Sequence, residues 1–266
     1  MHPAEAGELA AMRALFAAAP PDLGALAEEV GGALCISLRA APTSAMFNRA
    51  LGLGLERPAT EDDLAAIDAF FRAREVEYCI ALSPEARPSE LMTSITLRGL
   101  VRGYAWAKFS RGVVVPPEVK TELRVEEVSD GADFAAVFTR AYGTPPFLQP
   151  WIARVPGRPG WHCFLAYADE EPAATGAIYV EDGVGWLGAA GTLPEHRRKG
   201  AQNAILAARI RAAAEARCRV VVTETGALQE GRPSHSYHNI LRAGFEFLYE
   251  RANLLSSPEA DTSGTR

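Results

Sequence analysis

One segment of the chain, residues 186–206, restricts the possible folds more than any other. It begins with a strand-like run of apolar and small residues and ends in an alanine-rich helical pattern. The loop between the two carries three consecutive cations, Arg197, Arg198 and Lys199, followed by Gly200. The free N–H groups and the dipole of a helix start favour an anion, and the cations strengthen this preference. The segment therefore predicts an α/β or α+β fold with an anion-binding loop between a strand and a helix.

The motifs and the charge of the chain exclude several classes of function. The loop lacks both the GK[ST] ending of a P-loop and the GxGxxG of a dinucleotide-binding fold. The net charge is −6 over 266 residues, and it is −3 on each side of residue 120. Because neither half is basic, we expect no nucleic-acid partner. Of the 27 cations 24 are Arg, a bias that we attribute to a GC-rich bacterial gene.

The cysteines and the absence of long apolar runs indicate the compartment. The four cysteines stand singly without CxxC spacing, at Cys35, Cys79, Cys163 and Cys218. This pattern argues against a metal site or a disulfide framework and is typical of a reducing cytoplasm. The first residues lack the basic start of a signal peptide, and no apolar run approaches the ~18 residues of a membrane span. We expect a cytoplasmic protein with no metal and no membrane partner.

The length of the chain lies between that of one domain and that of two. Residues 113–117 are the best linker, because their two adjacent prolines favour extended backbone and cannot continue a helix. The sequence therefore predicts an N-terminal α/β domain over residues 1–115 and a second domain over residues 121–255. The small, polar residues 256–266 are expected to form a disordered tail.

Local signals in the first half predict short helices and strands. A helix is expected at residues 22–30, with Gly31 and Gly32 as its stop. Thr60 and Asp63 predict a capped helix start, since a hydroxyl and an acid in the first turn satisfy free N–H groups. In the second half the apolar patterns alternate as strand, helix, three strands, helix, strand, helix and strand between residues 122 and 253.

This second half resembles the GCN5-related N-acetyltransferase (GNAT) family. In that family a strand followed by V-x-P-x-x-R-x-x-G-x-G/A opens a long helix and binds the pyrophosphate of acyl-CoA. Pro194, Arg197 and Gly200 fill this frame, whereas Thr192 replaces the usual aliphatic residue and Gln202 the second small residue. The order of elements also follows the family, and residues 242–245 resemble its corner between the last helix and the final strand.

The resemblance implies a central mixed, mostly antiparallel sheet flanked by helices, and acetyl-CoA as co-substrate. It also implies that a backbone N–H at a bulge in the strand of residues 184–192 polarises the thioester carbonyl. Asn239 either hydrogen-bonds the pantetheine arm or lies in solvent. The residues expected to bind acetyl-CoA are Ala190, Gly191, Thr192, Arg197, Arg198, Lys199, Gly200, Ala201, Gln202, Asn203 and Asn239.

The acid and the base of the reaction have several candidates. Many family members carry a Tyr as acid four residues before the glycine of the corner, where this chain has Ile240. Ser236 and Tyr237 are the nearby replacements. Glu224, at the end of an apolar strand, is the carboxylate best suited as base, because partial burial would raise its pKa. An exposed acid at that position, or proton removal by water, are the alternatives.

The acceptor is expected at an aromatic, proline-rich stretch, residues 143–161. Phe147, Trp151 and Trp161 could line an apolar pocket there or belong to the core. The first half is either a degenerate acetyltransferase-like domain, whose acids at one helix start would repel a pyrophosphate, or a plain extension.

Together these features predict an N-acetyltransferase that transfers acetyl from acetyl-CoA directly to a primary amine, as a monomer or a homodimer. Direct transfer is expected because no cysteine stands where a nucleophile would be needed. A non-catalytic CoA sensor or partner-binding protein is the alternative, which Ile240 and Gln202 favour.

Overall fold

The computed structural model describes residues 1–112, 119, 121–231 and 234–257. They divide into two units, residues 1–107 with those from 249 onward, and Lys108–Leu248. Strands β5 (Val101–Gly112) and β11 (Glu246–Leu255) each contribute residues to both units. The expected linker at 113–117 and residues 258–266 of the tail expected at 256–266 lie outside the described residues. At the first residue of that tail the expected disorder is not found, because the Ser256 N–H donates to the Tyr78 carbonyl at 2.9 Å. The domain ranges 1–115 and 121–255 stay predictions, because a spatial unit does not test independent folding.

The first unit combines a mixed sheet with three helices among the described residues. Its strands are hydrogen-bonded in the order β1-β2-β3-β4-β11-β5. The β3–β4 pair is parallel, and the β1–β2, β2–β3 and β4–β11 pairs are antiparallel. Besides β5 and β11 the unit contains α1 (Pro3–Ala17), β1 (Ala25–Val30), β2 (Ala33–Leu38), β3 (Arg49–Leu51), α2 (Glu61–Arg74), β4 (Cys79–Leu82) and α3 (Leu91–Leu97).

The prediction of a helix at residues 22–30 is wrong. A single 3₁₀ turn is followed there by strand β1, which pairs with β2 in an antiparallel hairpin. Gly31 and Gly32 form the turn, with φ of 57° and 69°. Two consecutive residues with positive φ are what a two-residue hairpin turn requires. The glycine pair therefore connects two strands and does not end a helix.

The cap expected at Thr60 is confirmed. The Thr60 hydroxyl accepts from the Asp63 N–H at 3.2 Å, and the Asp63 carboxylate accepts from the Thr60 N–H at 2.8 Å. The Arg57 guanidinium also contacts both Asp63 oxygens, at 2.6 and 2.7 Å. These donors hold the pKa of Asp63 well below its usual range, with the Arg57 hydrogen bonds as the largest cause.

Replacing Thr60 by Ala should lower the free energy of unfolding by about 1 kcal/mol, because α2 loses its hydroxyl cap. Urea denaturation measures the change, with Thr93→Ala at an exposed position of α3 as control.

Asp63 contributes stability above about pH 4, and this contribution is lost as the pH falls through its lowered folded pKa. The difference in stability between the native protein and Asp63→Asn should therefore shrink on acidification. A constant difference would contradict the role given to Asp63.

The second unit confirms the expected mixed, mostly antiparallel sheet with flanking helices. Its strand order is β11-β5-β10-β9-β8-β7-β6, with β9 and β10 parallel. The β6–β7, β7–β8 and β8–β9 pairs are antiparallel. Its elements, besides β5 and β11, are β6 (Arg124–Val128), α4 (Ala132–Tyr142), α5 (Gln149–Ile152), β7 (Trp161–Ala168), β8 (Glu171–Glu181), β9 (Val184–Thr192), α6 (Ala201–Glu215), β10 (Val220–Gly226) and α7 (His235–Arg242).

Helices α4 and α6 both pack against β8 and β9. Glycines in these strands make the close approach possible, since a Cβ at Gly176 would lie 2.3 Å from the Ile205 side chain of α6. A Cβ at Gly191 would lie 2.7 Å from Ala141 of α4. None of the helices in the described residues is long and apolar enough to cross a membrane.

Candidate functional site

Strands β9 and β10 are paired over only part of their lengths. Their parallel pairing ends at Leu187 and Thr223. Both strands continue beyond this point, β9 to Thr192 and β10 to Gly226. Within the described residues the two strands therefore end unpaired with each other, which leaves an opening between their ends. Glu224 is the first residue of β10 beyond the paired region.

Strand β9 also carries a bulge beside this opening. On β8 the positions that pair with Gly188 and Gly191 are Ala177 and Thr175, two residues apart, whereas the partners on β9 are three apart. The extra residue makes β9 irregular, and Ala189 has a φ of 50°. A bulge re-aims backbone groups locally. The bulge expected in this strand is confirmed, and it lies at the residues proposed to meet the thioester.

The loop between β9 and α6 has the geometry of an anion site. A 3₁₀ turn, Pro194–His196, leads into Arg197, Arg198 and Lys199, whose side chains are exposed. Gly200, the residue before α6, has a φ of 83°. The helix start has no side-chain cap in the described structure, so its first N–H groups can meet a ligand. These donors and cations fit a pyrophosphate, and the absent Cβ of Gly200 leaves room for close approach.

The side chain of Gln202 contacts two residues of α7. Its Nε2 donates to the Ser236 Oγ at 3.1 Å, and its Oε1 accepts from the Asn239 amide. Asn239 in turn accepts from Arg242. The bulky residue that departs from the family pattern therefore links the start of α6 to α7. Of its neighbours, Ala201 is buried and Asn203 half-buried.

The two acid candidates on α7 have different surroundings. Ser236 contacts Gln202 at the start of α6, next to the cationic loop. The ring of Tyr237 packs edge-on against Phe109 at 5.0 Å between centroids and lies 6.3 Å from Phe247. Ser236 therefore lies at the start of α6, next to the loop, whereas Tyr237 lies in an aromatic cluster. Ile240, which stands where the family has its acid, is buried with 6% of its surface exposed.

Glu224 forms a buried ion pair that the sequence did not reveal. Its carboxylate lies 2.7 Å from the Nζ of Lys108 on β5, with side-chain exposures of 9% and 1%. Glu224 is therefore not an exposed acid at a strand end. The only signal for its partner was a single Lys between apolar residues of β5, 116 positions away in the chain. Lys108 is a candidate site residue that sequence reasoning missed, because it pairs with the candidate base.

The three aromatic residues expected at the acceptor pocket do not share one surface. Trp151 is fully buried, and Trp161 is 6% exposed and lies 5.0 Å from the Tyr179 ring. Phe147 is 44% exposed. The burial of Trp151 and Trp161 favours the core over a pocket for these two side chains, whereas the Phe147 ring is accessible to a ligand. Their assignment to a pocket stays a prediction. In the part of the chain that the structure describes, no three His, Cys, Asp or Glu side chains come together to hold a metal ion.

Comparisons with known proteins agree with this geometry. The family model for the acetyltransferase (GNAT) family matches residues 131–244. No curated protein matches the chain. The family implies the use of acetyl-CoA, and the matched region contains the bulge, the cationic loop and α7.

Solved structures extend the likeness to most of the chain. A GCN5-related N-acetyltransferase from Kribbella flavida has a TM-score of 0.63 at 21% identity, over 92% of this chain and 95% of that chain. One from Sphaerobacter thermophilus has a TM-score of 0.63 at 15% identity, over 100% and 97%. A tandem GNAT protein from the clavulanic acid biosynthesis pathway has a TM-score of 0.56 at 14% identity, over 79% and 75%. At these identities the likeness concerns the fold, and residues 131–244 are the part of the chain that matches the acetyltransferase (GNAT) family.

Proposed function

We propose that the chain is an N-acetyltransferase that transfers acetyl from acetyl-CoA directly to a primary amine while both are bound. The observation that carries this proposal is the bulge of β9 at the unpaired ends of β9 and β10, next to the uncapped start of α6. This arrangement offers one set of donors for a pyrophosphate and another for a carbonyl oxygen. An acyl thioester with a diphosphate arm needs both.

Acetyl-CoA supplies the acyl group activated as a thioester. The cationic loop of Arg197, Arg198 and Lys199, with Gly200 and the first N–H groups of α6, binds its pyrophosphate. The backbone N–H of Ala190, which the bulge leaves without a partner position on β8, donates toward the thioester oxygen and stabilises the negative charge that develops on it. The binding energy of the loop thus holds the thioester against the bulge.

Two further groups move protons. The amine nitrogen bonds to the thioester carbon, the carbon–sulfur bond breaks, and the leaving thiolate takes a proton from the Ser236 hydroxyl. Water returns a proton to the Ser236 oxygen and takes from Glu224 the proton that came from the amine. Ser236 is the proposed acid because it contacts the α6 start, whereas the Tyr237 ring packs among aromatic residues. Glu224, beside the opening between β9 and β10, accepts the proton of the amine, directly or through water.

A covalent acyl-cysteine route is disfavoured by the cysteines themselves. All four are buried. Burial raises the pKa of the Cys163 thiol to about 12. A buried thiol with a raised pKa is a poor nucleophile at neutral pH, because the thiolate is the reactive form. Direct transfer to the amine fits these groups better.

A CoA sensor without catalysis is the second candidate. The observation that favours it is Ile240, a buried apolar residue at the position of the usual family acid. Calorimetric titration with acetyl-CoA and thiol release with a panel of amines distinguish the two candidates. Binding with turnover supports the enzyme, and binding without turnover on any amine supports the sensor. Absence of binding would contradict both.

Replacing Ser236 by Ala should lower kcat about a hundredfold with little change in the Kd of acetyl-CoA, if the hydroxyl protonates the thiolate. Tyr237→Phe is the matched control and should keep most of the activity. Equal activity of Ser236→Ala and the native protein would contradict the role of Ser236.

Glu224→Gln should remove the limb of the pH–rate profile that reports the base, because the amide cannot accept the proton of the amine.

A further inference from the structure

Four consecutive carbonyls of β9, those of residues 187–190, accept hydrogen bonds from side chains. Thr223 Oγ1 donates to the first at 3.2 Å and Arg209 Nη1 to the second at 3.2 Å. Thr175 Oγ1 donates to the third at 2.9 Å and the Tyr142 hydroxyl to the fourth at 3.0 Å. The donors come from β10, α6, β8 and α4. Side chains from four elements therefore converge on the bulge.

These bonds determine where the bulge directs its N–H groups. A peptide unit is planar and trans, so its C=O and the N–H of the next residue point in opposite directions. A donor on the Ala189 carbonyl therefore fixes the direction of the Ala190 N–H. A donor on the Ala190 carbonyl holds the next peptide unit, which joins the bulge to Gly191, where the pairing with Thr175 of β8 resumes. In a regular strand the neighbouring strand would do this, but at a bulge the ladder is interrupted.

Arg209 occupies a special position in this arrangement. Its Nη1 also donates to the Ala177 carbonyl at 3.3 Å, so it bridges Ala177 and Gly188, the last regular pair before the bulge. Its Nε donates to Ile205 of its own helix at 3.3 Å. The opposing strand makes room for it, because a Cβ at Gly176 would lie 3.0 Å from the Arg209 Nε.

Burial of a cation and a hydroxyl is costly, which indicates that Arg209 and Thr175 serve a purpose at the bulge. Arg209 is 3% exposed and Thr175 1% exposed. Among the described residues every hydrogen-bond partner of Arg209 is a main-chain carbonyl, and a buried cation without a carboxylate partner is expensive. Burial lowers the pKa of Arg209 to about 10, which leaves it charged at neutral pH. Its positive charge lies beneath the bulge, where it favours developing negative charge.

We propose that Arg209, Thr175 and Tyr142, here called the bulge clamp, are positioning residues that aim the amides of the bulge at the acyl carbonyl. The clamp does not touch the pyrophosphate loop. It therefore governs the polarisation of the thioester and the preference for acetyl-CoA over free CoA, while the loop governs binding of the common CoA part. This inference rests on the proposed function.

Thr175→Val and Tyr142→Phe remove one donor each at nearly constant volume. Thr139→Val is the matched control for the first, because the Thr139 hydroxyl is buried and donates to carbonyls of α4 at 2.9 and 3.2 Å, away from the bulge. Tyr179→Phe is the control for the second, since its hydroxyl donates to Glu181. Arg209→Met is a third clamp variant, and the two milder ones keep the inference testable where it fails to fold.

Two measurements on the whole protein need no acceptor. Calorimetry gives the Kd of acetyl-CoA and of CoA, and isotope-edited infrared spectra give the stretch of the ¹³C-labelled thioester carbonyl in bound acetyl-CoA. We expect a lowered carbonyl frequency in the native complex, and a partial return toward the solution value in each clamp variant. Binding of acetyl-CoA should weaken about fivefold relative to CoA in each, the effect of one lost hydrogen bond. The controls should keep the native values.

The outcomes separate this inference from the proposed function. If native protein binds neither ligand, the proposed function fails and the inference with it. If native protein binds and polarises acetyl-CoA, but Thr175→Val and Tyr142→Phe show the native carbonyl frequency and the native Kd ratio, only the clamp is overturned. A clamp variant that loses CoA and acetyl-CoA affinity equally would also overturn it, because that is the signature of a merely structural role.

Discussion

The double variant Arg197→Glu with Gly200→Asp is expected to abolish acetyl-CoA binding, with a rise in Kd of at least about a hundredfold, or about 2.7 kcal/mol. The first change reverses an exposed charge in the loop before α6. The second adds a carboxylate at the helix start and a Cβ at a residue with a φ of 83°, a conformation that L side chains rarely adopt. Both changes place negative charge where a pyrophosphate would bind. Calorimetric titration with acetyl-CoA measures the loss.

Arg211→Glu is the matched control for this experiment. Arg211 is an exposed residue in the same helix, more than two turns from its start. Arg211→Glu reverses one charge as Arg197→Glu does, but at a position where the helix dipole and the free N–H groups no longer act. Its Kd should stay near the native value. An affinity of the double variant equal to that of Arg211→Glu would remove the assignment of the loop.

The second large effect is expected in the first unit, where Arg251 is fully buried with two glutamates. Its guanidinium contacts Glu5 at 3.0 Å and also contacts Glu8, and both carboxylates are completely buried. Arg49 adds a contact to Glu8 at 3.3 Å, and the Tyr249 hydroxyl donates to Glu5 at 2.8 Å. Arg251→Met should lower the free energy of unfolding by about 3–5 kcal/mol, because it leaves buried carboxylates short of their main counter-charge.

Urea denaturation followed by circular dichroism measures this loss. Arg13→Met is the control, since Arg13 pairs with Glu29 at the surface, where both side chains are about half exposed. An exposed pair contributes about 0–1 kcal/mol, so this variant should stay close to the native protein. A similar small effect of both variants would mean that Glu5 and Glu8 do not depend on Arg251.

Features that depend on a few neighbouring residues were predictable from the sequence. The cap at Thr60 and Asp63 involves residues three positions apart, and the order of strands and helices in the second half follows from local apolar patterns. The bulge in β9 was expected from the resemblance to the GNAT family, which rests on residues close together in the chain. The exception is the Gly31–Gly32 pair, because two glycines that adopt positive φ serve both as a helix stop and as a hairpin turn. Only pairing with β2 decides between these.

The candidate site was predictable only in part. The cationic loop and Gly200 are consecutive in the chain, so their approach to a helix start follows from local structure. By contrast, Gln202 and Ser236 are 34 positions apart, and their contact depends on how α7 packs. Nothing in the pattern of α6 indicated that Arg209 would face two strands. A buried Arg in an alanine-rich helix cannot be told from an exposed one until the sheet beneath it is known.

Local residue patterns were enough to predict the GNAT-like order of elements and the loop with its three cations. The pairing of Glu224 with Lys108, the link from Gln202 to α7 and the side chains from four elements that hold the carbonyls of the bulge became visible only in the folded chain. The two groups of features differ in the distance along the chain over which their interactions act. Backbone dihedrals, caps and turns depend on neighbours within a few residues, whereas burial and pairing of charges depend on which distant strands become adjacent in the sheet.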